Sequence, residues 1–177
     1  MITDILKIHN DNVNTANLAA RSFTQISELR KKALASMFDN YYITTHKLVE
    51  IATIRGVHFI DDSASTNINK TWFAIENVGL PVIWIMNSDT EMDNLASIID
   101  TVSNRVRIII NYGQTYNARI FQNAVKTIID APNLASAVRV AFMYAAEGDA
   151  VVFSPSIGSA EDITSNARVF INAVNEL

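Results

Sequence analysis

Short apolar runs and stretches of helical periodicity take turns along most of this chain, and that alternation restricts the fold more than any other feature. The runs are Val82 to Met86, Val106 to Ile110 and Ala150 to Phe153, with a weaker one at Lys126 to Ile129. Between them apolar residues recur at helical spacing over Ile68 to Val78, Asp93 to Val102, Gln114 to Val125, Asn133 to Glu147 and Ser159 to Asn175. Uniformly apolar strands are buried on both faces, and parallel neighbours need a crossover between them, usually a helix. Leu48 to Ile54 and Val57 to Ile60 instead alternate, on either side of Arg55-Gly56, which is a hairpin signal. Ahead of the hairpin, Val13, Ala16, Ala20 and Phe23 mark one helix. Ile26, Leu29, Leu34 and Met37 mark a second, over about Thr24 to Phe38, with Arg30, Lys31 and Lys32 on its solvated side. The expected architecture is α/β: a mostly parallel sheet with helices on both faces, preceded by two helices and a β-hairpin.

Composition removes several functions. Hydrophobic residues make up 49% of the 177 and charged residues 18%, which excludes intrinsic disorder. A formal charge of −4 gives no electrostatic footprint for nucleic acid. The apolar runs are too short for a bilayer, and Met1-Ile2-Thr3-Asp4 opens no signal peptide, so no membrane partner and a cytoplasmic location are expected. With no cysteine there is no thiol catalysis or disulfide framework. The five glycines form neither G-x-G-x-x-G nor a P-loop, so no self-contained nucleotide-binding loop is expected.

A parallel sheet of this kind binds ligands outside the carboxyl ends of its strands. Here those ends read Asp61 to Asn67, Asn87 to Thr90, Asn111-Tyr112 and Ser154 to Ser159: polar, rich in hydroxyls and poor in cations. Asp61-Asp62 suits a metal or phospho-acceptor site, or more simply a turn or helix cap. His9, His46 and His58 have no metal-ligand spacing, and no G-x-S-x-G exists. No catalytic residue and no metal ligand is therefore assigned. Trp72, Phe73, Phe142 and Phe153 read as core.

Two stretches carry more. Gly56-Val57-His58-Phe59-Ile60-Asp61-Asp62-Ser63-Ala64-Ser65-Thr66-Asn67 resembles the G-V-x-F-I-[ND]-D-S-K-[AG]-T-N run that opens the C-terminal domain of the Mur ligases. Gly148-Asp149-Ala150-Val151-Val152-Phe153-Ser154-Pro155-Ser156-Ile157-Gly158-Ser159 is similar to G-D-x-V-L-L-S-P-A-C-A-S of the branch that adds D-glutamate. Thr45-His46-Lys47-Leu48 looks like that family's P-H-R-L. His9-Asn10 and the Ala-rich stretch after it resemble the H-N-x-x-N-x-x-A-A helix ending the central ATPase domain. The resemblance implies a helical remnant of the central domain over residues 1–45 and a Rossmann-like amino-acid-binding domain over residues 46–177. It implies substrate contacts from Ser63, Thr66, Asn67, Ser154 and Ser159, and nucleotide proximity for Asn10 and Lys47.

Departures from the pattern qualify the function. The UDP-binding domain has no counterpart in the chain, nor does the P-loop part of the central domain. The motif's lysine is Ala64, and the lysine of a later D-K-G motif is Thr90. Lys47 replaces an arginine, and the two differ in stacking and bidentate contacts. Each lost cation removes a charge-assisted hydrogen bond worth roughly 1.5–3 kcal/mol. Three expectations stand side by side. One is an amino-acid-binding domain tied to peptidoglycan precursor synthesis, not catalytic alone, in effect a pseudoenzyme. Another is that same portion of a working ATP-dependent D-glutamate-adding ligase whose other domains lie elsewhere. The third is an assembly protein with a vestigial cleft. No cofactor is expected for the chain alone, with ATP and Mg entering only where a central domain is supplied. The small-molecule partner would be an amino acid or a peptidoglycan precursor. On sequence alone, D-glutamate should bind more weakly than millimolar, and Ala64→Lys with Thr90→Lys should raise its affinity.

The apolar stripe with Ile26, Leu29 and Met37 needs cover, because contiguous exposed apolar patches above a few hundred Å2 are uncommon on monomers. A homodimer, or docking onto the α/β domain or an ATPase-domain partner, is expected. Light scattering with limited proteolysis checks this: a monomer that is also cleaved readily before about Thr44 would count against it.

Overall fold

The computed structural model describes residues 21, 25, 28–29, 48–87, 95–112, 118–155 and 160–177, with side chains from 162 in the last stretch. The chain divides into two compact units, Met1–Thr44 and Thr45–Leu177. In the first unit Arg21, Gln25, Glu28 and Leu29 are helical, and Leu29 is exposed. Ile26, Leu34 and Met37 lie outside the described residues, as do Asn10 and Lys47.

The second unit holds a six-stranded sheet in the order β1-β2-β6-β3-β4-β5. The strands are β1 (Val49–Ile54), β2 (Val57–Asp61), β3 (Val82–Asn87), β4 (Val106–Tyr112), β5 (Thr127–Ala131) and β6 (Ala150–Phe153). β1 pairs antiparallel with β2, and every other pairing is parallel. The helices are α1 (Ile68–Asn77), α2 (Ile99–Arg105), α3 (Leu134–Tyr144) and α4 (Ala160–Asn175). This is the α/β architecture expected from the alternating pattern.

Register explains why the strands are apolar throughout. Ile60, Val152, Trp84, Ile109 and Ile128 lie in one row across the sheet. The neighbouring row, Phe59, Val151, Ile83 and Ile108, faces the opposite way, because side chains alternate along a strand. That second face packs against Leu134, Ala137, Val138 and Ala141 of α3 and Phe170, Ala173 and Val174 of α4. On the first face Trp84 meets Phe121 edge-on at 5.5 Å, and Trp72 of α1 donates through Nε1 to Thr101 Oγ1 of α2 at 2.9 Å. Phe153 stacks obliquely on Phe170 at 5.1 Å. Trp72 and Phe153 are buried as expected for core, whereas Phe73 and Phe142 are only half-buried.

Several boundaries differ from the sequence reading. Within the stretch expected as a helix over Gln114 to Val125, the described residues form only a 3-10 turn, Ala118–Phe121. Ala118 and Phe121 are the fully buried pair, and their three-residue spacing needs one tight turn rather than a helix. Within the stretch expected as a helix over Asp93 to Val102, the described residues form a 3-10 turn at Leu95–Ile98, followed by α2, which runs on to Arg105. Asn111 and Tyr112 form the carboxyl end of β4, as expected, but they do not face a cleft. They are paired, buried members of the strand, with Asn111 Nδ2 donating to Asp130 Oδ1 at 2.8 Å.

The hairpin turn is set by two left-handed residues, Arg55 at φ 51° and Gly56 at φ 73°. Positive φ at both central positions marks the turn whose twist matches a two-residue hairpin. Gly148 N–H donates to Gly56 O at 2.8 Å, fastening the turn to the entrance of β6. A side chain at Gly56 would meet both a disfavoured φ and Glu147 Cγ, 2.5 Å from its Cβ position. Gly56→Ala should therefore cost about 1–2 kcal/mol, read as a lower urea midpoint. Arg55→Asn, which tolerates the same φ, should leave that midpoint nearly unchanged.

Candidate functional site

β6 lies between β2 and β3, so the carboxyl ends of β2 and β6 emerge side by side. Main-chain bonds carry this pairing past the strands: Asp62 N–H donates to Phe153 O at 2.9 Å and Ser154 N–H to Ile85 O at 3.1 Å. The two sequence motifs are thereby joined. Ser154 Oγ donates to Asp62 Oδ2 at 2.7 Å across 92 residues of sequence, and Thr71 Oγ1 lies 2.7 Å from Ser154 Oγ. Since Ser154 spends its proton on Asp62, Thr71 of α1 is the donor to Ser154. Ser65 Oγ donates to the same Asp62 oxygen at 2.5 Å, and Trp84 Nε1 to Ser154 O at 2.8 Å.

Every member of this network is buried, with Asp62 4% exposed and Ser65, Thr71 and Ser154 fully enclosed. Burial pushes the Asp62 carboxyl up to about 7, against the opposing pull of the Ser65 and Ser154 hydroxyls. Asp61 plays the other role foreseen for this pair: its Oδ1 accepts from Ser63 N–H at 2.9 Å and closes the turn. Among the described residues no group of His, Asp or Glu is placed to hold a metal ion.

The remaining candidates occupy the loop between β2 and α1. Ser63 is buried, Thr66 half-buried and Asn67 exposed. Asn67 is the N-cap of α1, its side chain accepting from Asn69 N–H and Lys70 N–H at 3.1 Å each. Thr66 Oγ1 accepts from Lys70 Nζ at 3.4 Å, and Ala64 O accepts from the same ammonium at 3.4 Å. The structure thus brings Ser63, Thr66, Asn67 and Ser154 to adjoining strand ends. Ser159 and Thr90 lie outside the described residues.

Thr71, which meets Ser154, escaped the sequence reading, and so did Ser65 and Lys70. Ser65 reads as a loop residue, yet it supplies the shortest contact to Asp62. Lys70 reads as a helix residue and the strand ends read as poor in cations, whereas its ammonium folds back over the loop. A signal for it exists: Lys70 is the third residue of α1, where a cation opposes the helix dipole.

No protein-family model matches the chain. Among curated proteins it is similar to UDP-N-acetylmuramoylalanine–D-glutamate ligases. That of Christiangramia forsetii is 28% identical over 166 residues, 90% of this chain and 37% of the relative. That of Desulfosudis oleivorans is 29% identical over 174 residues, 96% of this chain and 37% of the relative. That of Burkholderia multivorans is 30% identical over 171 residues, 93% and 34%. The chain thus spans about a third of the length of these relatives. Its fold is similar to a domain of a Haemophilus ducreyi protein described as a putative UDP-N-acetylmuramate:L-alanyl-γ-D-glutamyl-meso-diaminopimelate ligase (TM-score 0.51, 10% identity, 72% of this chain and 99% of that one). It is also similar to part of a murein peptide ligase from Psychrobacter arcticus (TM-score 0.52, 12% identity, 75% and 30%).

The buried carboxyl gives a pH test. The Asp62 pKa is raised from 3.8 to about 7 in the folded state, so the native protein keeps a proton that the unfolded chain releases. Across that window this group lowers stability as pH rises, and above it adds no further change. Asp62→Asn should flatten this part of the pH dependence: the urea midpoint of the parent should fall more between pH 5 and pH 8 than that of the variant.

Proposed function

We propose that this chain, a Mur ligase C-terminal-like domain in sequence and fold, binds the incoming amino acid of an amide-forming ligase and does not catalyse alone. The observation that carries the reading is the Asp62–Ser154–Thr71 network. It fastens together the two motifs on which the resemblance rests, at a sheet position where such folds gather ligands. The network satisfies itself within the protein, so Asp62 holds the loop in shape rather than meeting the ligand. Contacts to the ligand fall to the loop hydroxyls and N–H groups around Ser63 and Thr66, with Ser159 beyond Ser154 in sequence.

In a ligase of this kind ATP phosphorylates the acceptor carboxylate. The amine of the incoming amino acid then attacks the acyl carbon, releasing phosphate and a proton and leaving an amide. The contribution of this chain is to hold that amino acid by its carboxylate with the amine presented. ATP and Mg belong to a central domain, because no phosphate-binding glycine loop exists in these 177 residues. D-Glutamate is the amino acid suggested by the names of the relatives. Coverage of about a third of those relatives favours one further reading: this is the amino-acid-binding portion of an active ligase whose other domains lie elsewhere.

The full chain, given Mg and ATP, should release no phosphate and bind ATP no tighter than high micromolar, as calorimetry reports. Binding at low micromolar, near −8 kcal/mol, or any turnover would reject the claim that it is inert alone. A chain that binds neither nucleotide nor any amino acid would instead favour an assembly role.

A further inference from the structure

We infer that β5 is a dimerisation edge, through which two copies of this chain join their sheets by antiparallel β5–β5 pairing centred on Ile128. The inference goes beyond the amino-acid-binding reading above and does not depend on it. Among the described strands β5 pairs only with β4, so it closes the sheet on that side. Its outward N–H and C=O groups have no strand partner among the described residues, and such an edge is a template for another strand. Ile128 and Ile129 adjoin in it, and both are only half-buried. The opposite edge of the sheet differs. There β1 carries a register irregularity between Glu50 and Ala52, a device that blunts an edge, whereas the β4–β5 register runs without a break.

The charge pattern selects the occupant. Lys126, Ile128 and Asp130 line one groove of about 210 Å3 beside the strand, with Arg119, Gln122 and Val125, so the three share a face. Lys126 and Asp130 are exposed and stand two residues either side of Ile128. Antiparallel pairing about Ile128 therefore sets Lys126 of each copy opposite Asp130 of the other, and Ile128 opposite Ile128. Opposite charges facing across strands are favourable, and like charges unfavourable. In-register parallel pairing would face Lys126 with Lys126 and Asp130 with Asp130, so the same residues reject it. Asp130 Oδ1 accepts from Asn111 within its own sheet, and a carboxylate has a second oxygen to offer the other copy's ammonium. On the other face the same register sets Thr127 opposite Ile129, two β-branched residues that suit a strand pair.

The test is sedimentation velocity on the full chain from about 10 µM to 1 mM. Half-dimerisation is expected at about 100 µM, because one short strand per copy makes a small interface. Lys126→Asp and Asp130→Lys each place like charges opposite one another, so each alone should dimerise about tenfold or more weakly. Mixed in equal amounts, the two variants should form a heterodimer at least as readily as the parent pairs with itself, since both cross-strand pairs are again opposite in charge. The Tm of each variant reports that it folds. Should Asp130→Lys fail to fold for want of its bond from Asn111, Lys126→Asp decides alone, because Lys126 is exposed and precedes the strand. A parent that stays monomeric throughout the range overturns the inference. A dimer indifferent to Lys126→Asp does the same and points to another surface, and a mixture of folded variants that stays monomeric rejects the register.

Discussion

The hydrogen bond from Ser154 to Asp62 is the contact on which the arrangement of this cleft depends. It ties the end of β6 to the end of β2, and Thr71 extends it into α1. Loop, helix start and sheet thereby share one buried polar joint. Leaving a buried polar group without its partner costs about 1–3 kcal/mol, more for a charged one. Ser154 is enclosed on every side, so the loop cannot shift without exposing or stranding one of these groups. The loop is shaped by this requirement before any ligand arrives.

This joint divides the labour among polar residues that look equivalent in sequence. Asp61 closes a turn, Asn67 caps a helix, and Asp62 with Ser65 is spent inside the protein. The groups left at the surface of the cleft are fewer than the hydroxyl-rich sequence suggests. A small set of surface groups beside a rigid interior is a common way to fix ligand orientation without reorganisation on binding.

Much of the fold was legible because its signals are periodic. The apolar runs at Val82 and Ala150 read as strands since burial on both faces leaves no polar alternation, and Arg55-Gly56 read as a turn from its chemistry. The stretch around Ala118 misled, because two buried residues three apart fit a helix and a single turn equally well. Asn111 stands at a strand end as its place in the run suggests, but its polarity serves Asp130 on the next strand and not a ligand. In the site, the strand-end position of Ser63 and Ser154 followed from topology. The burial of Asp62 did not, because it depends on Thr71 and Ser154, far apart in sequence. Lys70 hid for the same reason: its reach depends on where a helix begins.

The position of β6 has a bearing on how the protein is made. It is the last of the six described strands in sequence, yet it lies between β2 and β3, which are adjacent to it on either side. A ribosome therefore delivers both flanking strands well before the strand that joins them. Until about residue 150 has emerged, the inward edges of β2 and β3 lack their common partner. Contacts of such long sequence separation slow folding, and unpaired apolar strand edges invite association with other chains. A truncation upstream of Ala150 would lose more than one strand: it would leave two half-sheets with no bridge.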